Sequence, residues 1–175
     1  MPGPPVRTDI VDVYVFRRPA SPPPGEVEIL QIRRVPDEVL GGTWQPVMGH
    51  MESGEIAAAT ALRELREETG FAPGRGLVGF WQLELPNTYF LHSHACFVMS
   101  PCFAAEVERS AEPVLDAAHD ALRWVPRADA ERHFIWPGQR GAVEGIVRDI
   151  VSSGSAVEPI LRIDPASVPG REFGG

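Results

Sequence analysis

The chain has 175 residues and a formal charge of −8, from 24 acidic and 16 basic side chains. All 16 basic residues are arginine, which excludes lysine Schiff-base chemistry and the lysine-containing phosphate cradle of P-loop proteins. The acidic balance also argues against a nucleic-acid polymer as partner, so phosphate must be met by arginine, backbone N–H groups or a metal.

Ile10 to Phe16 is the first predicted strand, with Val11, Val13 and Val15 alternating against Asp12 and Tyr14. The Pro/Gly-rich stretch Pro19–Gly25 is a loop, and Glu26–Arg34 alternates again, which suggests a long-looped hairpin. Pro36–Gly42 forms a second loop, and Trp44–His50 a short strand. The strongest predicted helix is Ile56–Thr69, where Ala58, Leu62, Leu65 and Thr69 share one face. Ser53 or Glu52 is its candidate cap, and Gly70 is placed to end it. Leu77–Leu85 and His94–Phe103 are predicted strands, and Ala104–His119 a loop. Ala121–Val125 is a short strand and Pro126–Phe134 a short helix. Gln139–Val151 is a final amphipathic helix, with Val143, Ile146, Val147 and Ile150 on one face.

This order predicts one mixed α/β (α+β) domain over residues 1–152, with helices covering a sheet. Residues 153–175 are Pro/Gly-rich and are expected to form a tail that packs loosely or extends toward a partner. The composition supports a hydrophobic core. No run approaches the roughly 18 apolar residues of a membrane span, and the first residues lack an apolar signal region. A cytoplasmic protein without a membrane partner is the expectation. Cys96 and Cys102 fall in one predicted strand, where six residues at roughly 3.3 Å each exceed the ~4.4–6.8 Å Cα separation of a disulfide. Two free thiols are therefore expected.

The chemistry concentrates between Gly49 and Phe71. Glu64, Glu67 and Glu68 stand at i, i+3 and i+4 on one helical face, where like charges repel. Packing does not call for that arrangement, whereas a hard divalent cation such as Mg²⁺ or Mn²⁺ does. Arg63 can pair with Glu67 one turn on, and the Gly49–Gly54 loop can bring backbone groups close to the same ion. The competing interpretation of any two of these glutamates is a solvated acidic helix face.

The full pattern is Gly49-x5-Glu55-x7-Arg63-Glu64-Leu65-x-Glu67-Glu68-x-Gly70-Phe71. It resembles the Nudix hydrolase box at every specified position. The resemblance implies an α/β/α sandwich with a mixed sheet, and a Mg²⁺- or Mn²⁺-dependent hydrolase of a nucleoside diphosphate linked to another moiety. It implies Glu64, Glu67 and Glu68 as metal-binding, catalytic carboxylates and the Gly49 carbonyl as a further ligand. It also implies that Arg63 orients the glutamates and that Glu55 anchors the loop or joins the outer metal shell. Several family members carry a Glu-His pair some five residues before a tryptophan. Here His119 precedes Trp124, but Ala118 stands at the glutamate position, leaving Asp116, Asp120, Glu67 or Glu68 as candidate bases.

Trp44-Gln45-Pro46-Val47-Met48-Gly49 and the Trp136–Glu144 stretch are similar to segments of dihydroneopterin triphosphate and deoxyadenosine triphosphate pyrophosphatases. The implied substrate is a small nucleotide or pterin triphosphate, cleaved to monophosphate and pyrophosphate, with a homodimer as the candidate assembly. Pro86 is similarly placed to a proline of ADP-ribose pyrophosphatases, and Tyr89 to a tyrosine of diadenosine polyphosphate hydrolases. A non-hydrolytic nucleotide-binding module is the alternative from another class. Arg33, Arg34 and Arg140 are candidate phosphate contacts, and Trp44, Phe80, Trp81, Tyr89 and Trp136 are candidate stacking platforms, of which one or two should line the pocket. His92 and His94, expected on a strand, lack a third ligand at a recognised spacing and are taken as edge-strand histidines.

Overall fold

The structure is a computed structural model that describes residues 3–21 and 25–169. A mixed sheet forms its centre. Strand β2 (Ile10–Arg17) runs through the middle and is buried from Ile10 to Phe16 on both faces. Val11, Val13 and Val15 point to one side, while Tyr14 and Phe16 point to the other. The sheet has the order β11 (His119–Pro126), β3 (Glu28–Arg34), β2, β10 (Cys102–Val107), β7 (Gly76–Gln82), β6 (Ala72–Pro73). The short strands β4 (Trp44–Gln45) and β5 (Val47–His50) pair antiparallel with β3 and β2. β10 runs parallel to β2 and antiparallel to β7. A second sheet holds β1 (Val6–Arg7), β9 (Cys96–Ser100) and β8 (Asn87–Leu91).

Helix α1 (Ala57–Thr69) packs Ala61 and Leu65 onto the valine face of β2. On the opposite face lie α2 (Arg127–His133) and α3 (Pro137–Gly145), with Ala130, Ala142, Val143 and Ile146 against Tyr14 and Phe16. This is the expected α/β/α sandwich around a mixed sheet.

Several elements differ from the sequence expectation. The run Trp44–His50 is two strands, because Pro46 has no N–H to give a ladder. Pro101 divides His94–Phe103 in the same way, so Cys96 and Cys102 lie in different sheets, both buried and both free. β10 continues to Val107 rather than yielding to a loop at Ala104, since its small alanines fit between β2 and β7. β8 was not expected, although Asn87, Tyr89 and Leu91 alternate inward against outward Thr88 and Phe90. His92 and His94 sit in a 3-10 turn, not on a strand.

The Pro/Gly loop after β2 falls partly outside the described residues. Its flanking strands pair only at Phe16 with Ile29 and Arg17 with Glu28, so the hairpin is strongly splayed. Helix α1 starts without a side-chain cap from Ser53 or Glu52, its N-cap being Ile56. Gly70, at φ 75°, ends it in the left-handed conformation that glycine adopts without penalty. The final helix changes from α to π winding after Gly145. Beyond it, α4 (Glu158–Leu161) returns to the sheet, with Leu161 only 2% exposed. The Trp81 indole donates to Glu158 at 2.8 Å, and the Ile163 amide donates to the Phe80 carbonyl at 2.8 Å. The described part of the C-terminal segment is thus fastened to β7.

Candidate active site

The Gly49–Phe71 segment runs from β5 through a loop into α1, and one guanidinium holds the two together. Arg63 donates to Glu55 at 2.9 and 3.1 Å, to Glu64 at 2.7 Å, to Glu67 at 3.1 Å and to the His50 carbonyl at 2.8 Å. Glu55 closes the loop from its own side by accepting from the Glu52 amide at 2.9 Å and the Thr60 hydroxyl at 2.8 Å. The Arg63 bonds, together with these, hold the Glu55 carboxyl down to about 2, and the same carboxylates raise the Arg63 guanidinium.

Two carboxylates turn toward β5. The carboxyl of Glu64 occupies the space that a β-carbon on Gly49 would need. Glu68 is 6% exposed and accepts a single long bond, from the Met48 amide at 3.3 Å. Burial raises the Glu68 carboxyl well above the usual carboxylate range, and the charges of Glu64 and Asp116 add to the effect. Burial also raises Glu64, against the opposing pull of Arg63. Glu67, by contrast, has a half-exposed side chain, 48% accessible, and reaches Arg63.

Among the described residues no three ligating side chains converge on one point. One buried and one part-buried carboxylate beside the Met48–Gly49 main chain nevertheless fit a hard divalent ion. Mg²⁺ commonly takes only one or two carboxylates and fills its remaining positions with water and phosphate oxygens. A cation at this place would offset the burial that raises both acids and relieve the like-charge repulsion that adds to it.

A cavity of about 310 Å³ opens next to Gly49. Arg7, Arg34, Gln45, Met48, Tyr89 and His94 are among its walls. Arg34 contacts Glu38 at 3.2 Å, has a buried Nε without a partner among the described residues, and lies close enough to Glu68 to lower its carboxyl. Tyr89 is stacked from behind by Trp136, with ring centroids 4.4 Å apart.

The NUDIX domain family model matches residues 7–145, which include this site and most of the sandwich. The chain belongs to the NUDIX domain family. It is 32% identical over 148 residues to a Myxococcus xanthus protein named octanoyltransferase, covering 81% of this chain. This chain spans 36% of that relative's length. Among solved structures, the Escherichia coli dihydroneopterin triphosphate pyrophosphohydrolase superposes with a TM-score of 0.66 at 20% identity, over 83% of this chain and 96% of that one. A Caenorhabditis elegans Ap4A hydrolase complex gives 0.64 at 18% identity, over 80% and 95%. The NUDIX domain of Shewanella oneidensis NrtR, complexed with ADP ribose, gives 0.60 at 19% identity, over 83% and 87%. These three likenesses are of fold.

Within this NUDIX domain, the residues singled out in the sequence separate into two groups. Gly49, Glu55, Arg63, Glu64 and Glu68 come together, with Glu67 at their exposed margin. Arg33, Trp44 and Arg140 do not line the cavity beside Gly49. Arg33 is bonded to Asp120 at 2.7 Å, the Arg123 guanidinium lies 3.9 Å from the Trp44 ring centroid, and Arg140 donates to the Phe134 carbonyl at 3.2 Å. Arg34 does reach the cavity, as do Gln45 and His94. Gln45 was signalled only by its place beside Trp44, and His94 only by its residue type.

The candidate bases separate as well. Asp120 is occupied by Arg33, whereas Asp116 lies near Glu68 and meets the buried His119 ring at 2.6 Å. No helix among the described residues is long and apolar enough to cross a membrane.

Proposed function

We propose that the chain is a divalent-metal-dependent pyrophosphohydrolase that cleaves a nucleoside or pterin triphosphate to monophosphate and pyrophosphate. The observation that carries this reading is the packing of part-buried Glu64 against Gly49 and of buried Glu68 against the Met48 amide, where Met48 and Gly49 line a ligand-sized cavity. Glu64, Glu68 and the Gly49 carbonyl would hold Mg²⁺ or Mn²⁺, with Glu67 swinging in from the margin. When bound, such an ion neutralises phosphate charge and acidifies water.

The protein's own residues do the rest. Arg63 holds Glu64 in register with β5 through its bonds to Glu55 and the His50 carbonyl. Arg34 offers a guanidinium between the carboxylates and the cavity, suited to a phosphate oxygen. Asp116, held by His119, takes the proton of the attacking water. Tyr89 gives the heterocycle a stacking face. The cytoplasm is the proposed location and a homodimer the proposed assembly.

A second reading, hydrolysis of diadenosine polyphosphates or ADP-ribose, draws on Tyr89 because that residue lines the cavity. A turnover panel with Mg²⁺ distinguishes the substrates: deoxynucleoside triphosphates, dihydroneopterin triphosphate, ADP-ribose and diadenosine polyphosphates. Pyrophosphate release from a triphosphate is the expected result. Binding of these compounds without turnover under any divalent ion would sink the hydrolytic reading.

A further inference from the structure

Behind the Tyr89–Trp136 wall of the cavity lies a polar cluster in the interior. Asp12, Asn87, Ser100 and Gln139 are each 0% exposed. The Asn87 amide donates to Asp12 Oδ2 at 2.8 Å, and the Tyr14 hydroxyl donates to the same oxygen at 3.2 Å. Asn87 and Ser100 are cross-strand partners on β8 and β9. Gly138 at the start of α3 lies directly over Asn87, where a β-carbon would come within 2.5 Å of its Oδ1. The next residue, Gln139, accepts from the Trp136 amide at 3.0 Å.

Among the described residues, five buried side-chain atoms on these neighbouring elements have no hydrogen-bond partner: Asp12 Oδ1, Asn87 Oδ1, Ser100 Oγ, Trp136 Nε1 and Gln139 Nε2. Ser100 stands close enough to favour the Asp12 carboxylate, yet its hydroxyl is outside hydrogen-bonding geometry. Left dry, five such groups would cost an appreciable share of the stability of a small domain. The set mixes two acceptors, two N–H donors and one hydroxyl. A cation cannot use the donors, whereas water can serve both kinds at once, with about two to four partners each.

We infer that Asp12, Asn87, Ser100, Trp136 and Gln139 form a buried water site that ties β2, the β8–β9 pair and the start of α3 together behind the cavity. The water acts on the cavity through Trp136. Its indole N–H is one leg of the cluster and its ring is the support of Tyr89. The residues are positioning groups, and their effect on substrate rests on the proposed hydrolysis, while the water site itself does not.

A crystal structure of the full chain that resolves single waters is the direct test. Density within hydrogen-bonding reach of Asp12 Oδ1 and of Trp136 Nε1 or Gln139 Nε2 is expected. Direct pairing of these side chains after amide flips, with no density between them, would overturn the site. In solution, a ¹⁵N-tryptophan-labelled sample should show cross-relaxation between the Trp136 indole proton and a long-lived water. Trp136→Phe assigns the signal, and its absence counts against the site. Neither readout needs turnover, so a failure of the water site is distinguishable from a failure of the hydrolytic reading. Ser100→Ala should raise KM several-fold with kcat unchanged, and equal KM values would overturn the positioning role.

Discussion

Glu64 lies where Gly49 would carry a side chain, so only glycine fits at position 49 while Glu64 keeps its place. Gly49→Ala pushes the Glu64 carboxyl off β5 while leaving the Arg63 bonds to Glu55 available. The expected result is a roughly 10–100-fold loss of metal affinity, of the size seen when a ligand loses its support. The fold should survive with about 1–3 kcal/mol of destabilisation. A Mg²⁺ titration of activity beside a thermal melt reads both quantities.

Glu68 is buried among acids, so its charge works against folding when no cation is bound. Glu68→Gln keeps the shape and removes that charge. The metal-free variant should melt higher than the metal-free parent, and with Mg²⁺ added it should turn over no substrate. A lower melting temperature would show that the carboxylate is stabilised by something other than a cation. Glu67→Gln, at the exposed margin, should lower kcat by several orders of magnitude with no change in melting, and near-parental turnover would remove Glu67 from the machinery.

Asp116 and Asp120 stand four residues apart and have different partners. Asp116→Asn should lower kcat by about 10²–10⁴-fold, the usual contribution of a general base. Asp120→Asn breaks only the exposed pair with Arg33 and should change kcat little. The reverse ranking would assign the base to Asp120.

Asp12 links folding to pH. Burial raises its carboxyl to about 7 in the folded protein, with Asn87, Tyr14 and Ser100 pulling the other way. The folded state therefore holds the proton more tightly than the unfolded chain. The stabilising contribution is complete below pH ~4 and is lost as pH rises through about 7, amounting to on the order of 4 kcal/mol. Urea midpoints of Asp12→Asn should be flatter over that window than those of the parent. Parallel slopes would mean that another group carries the linkage.

Leu161 fills the core from the segment expected to be a loose tail. Leu161→Ala should cost about 2–5 kcal/mol in denaturant unfolding. No loss would restore the expectation of a loosely packed tail.

The legible part of the site was the part written in local spacing. Glu64, Glu67 and Glu68 share a helical face because the backbone repeats every 3.6 residues, and Gly70 ends that helix because glycine tolerates positive φ. What spacing could not convey was which glutamates are buried. That depends on where β5 passes, and it leaves Glu67 outward and Glu68 inward. Asp116 was visible only as an alternative, since its approach to Glu68 is set by the course of the loop before β11. Arg33 and Arg34 are adjacent, so their side chains leave opposite faces of β3, and the sequence could not tell which face held the cavity. The breaks at Pro46 and Pro101 were readable from the missing N–H, whereas the docking of α4 rests on Leu161 and on the Glu158 contact with Trp81, in a segment whose composition suggests a loose tail.

The bond from the Ile163 amide to the Phe80 carbonyl and the pairing of Arg162 with Trp81 cover the outer edge of β7. β6 shields only the first residues of that strand. A chain cut before Glu158 would therefore offer a free row of backbone donors and acceptors beside Phe80 and Trp81, the kind of template on which strands of other molecules add. Its failure would show first as concentration-dependent aggregation, in a form whose cavity and carboxylates were all still present.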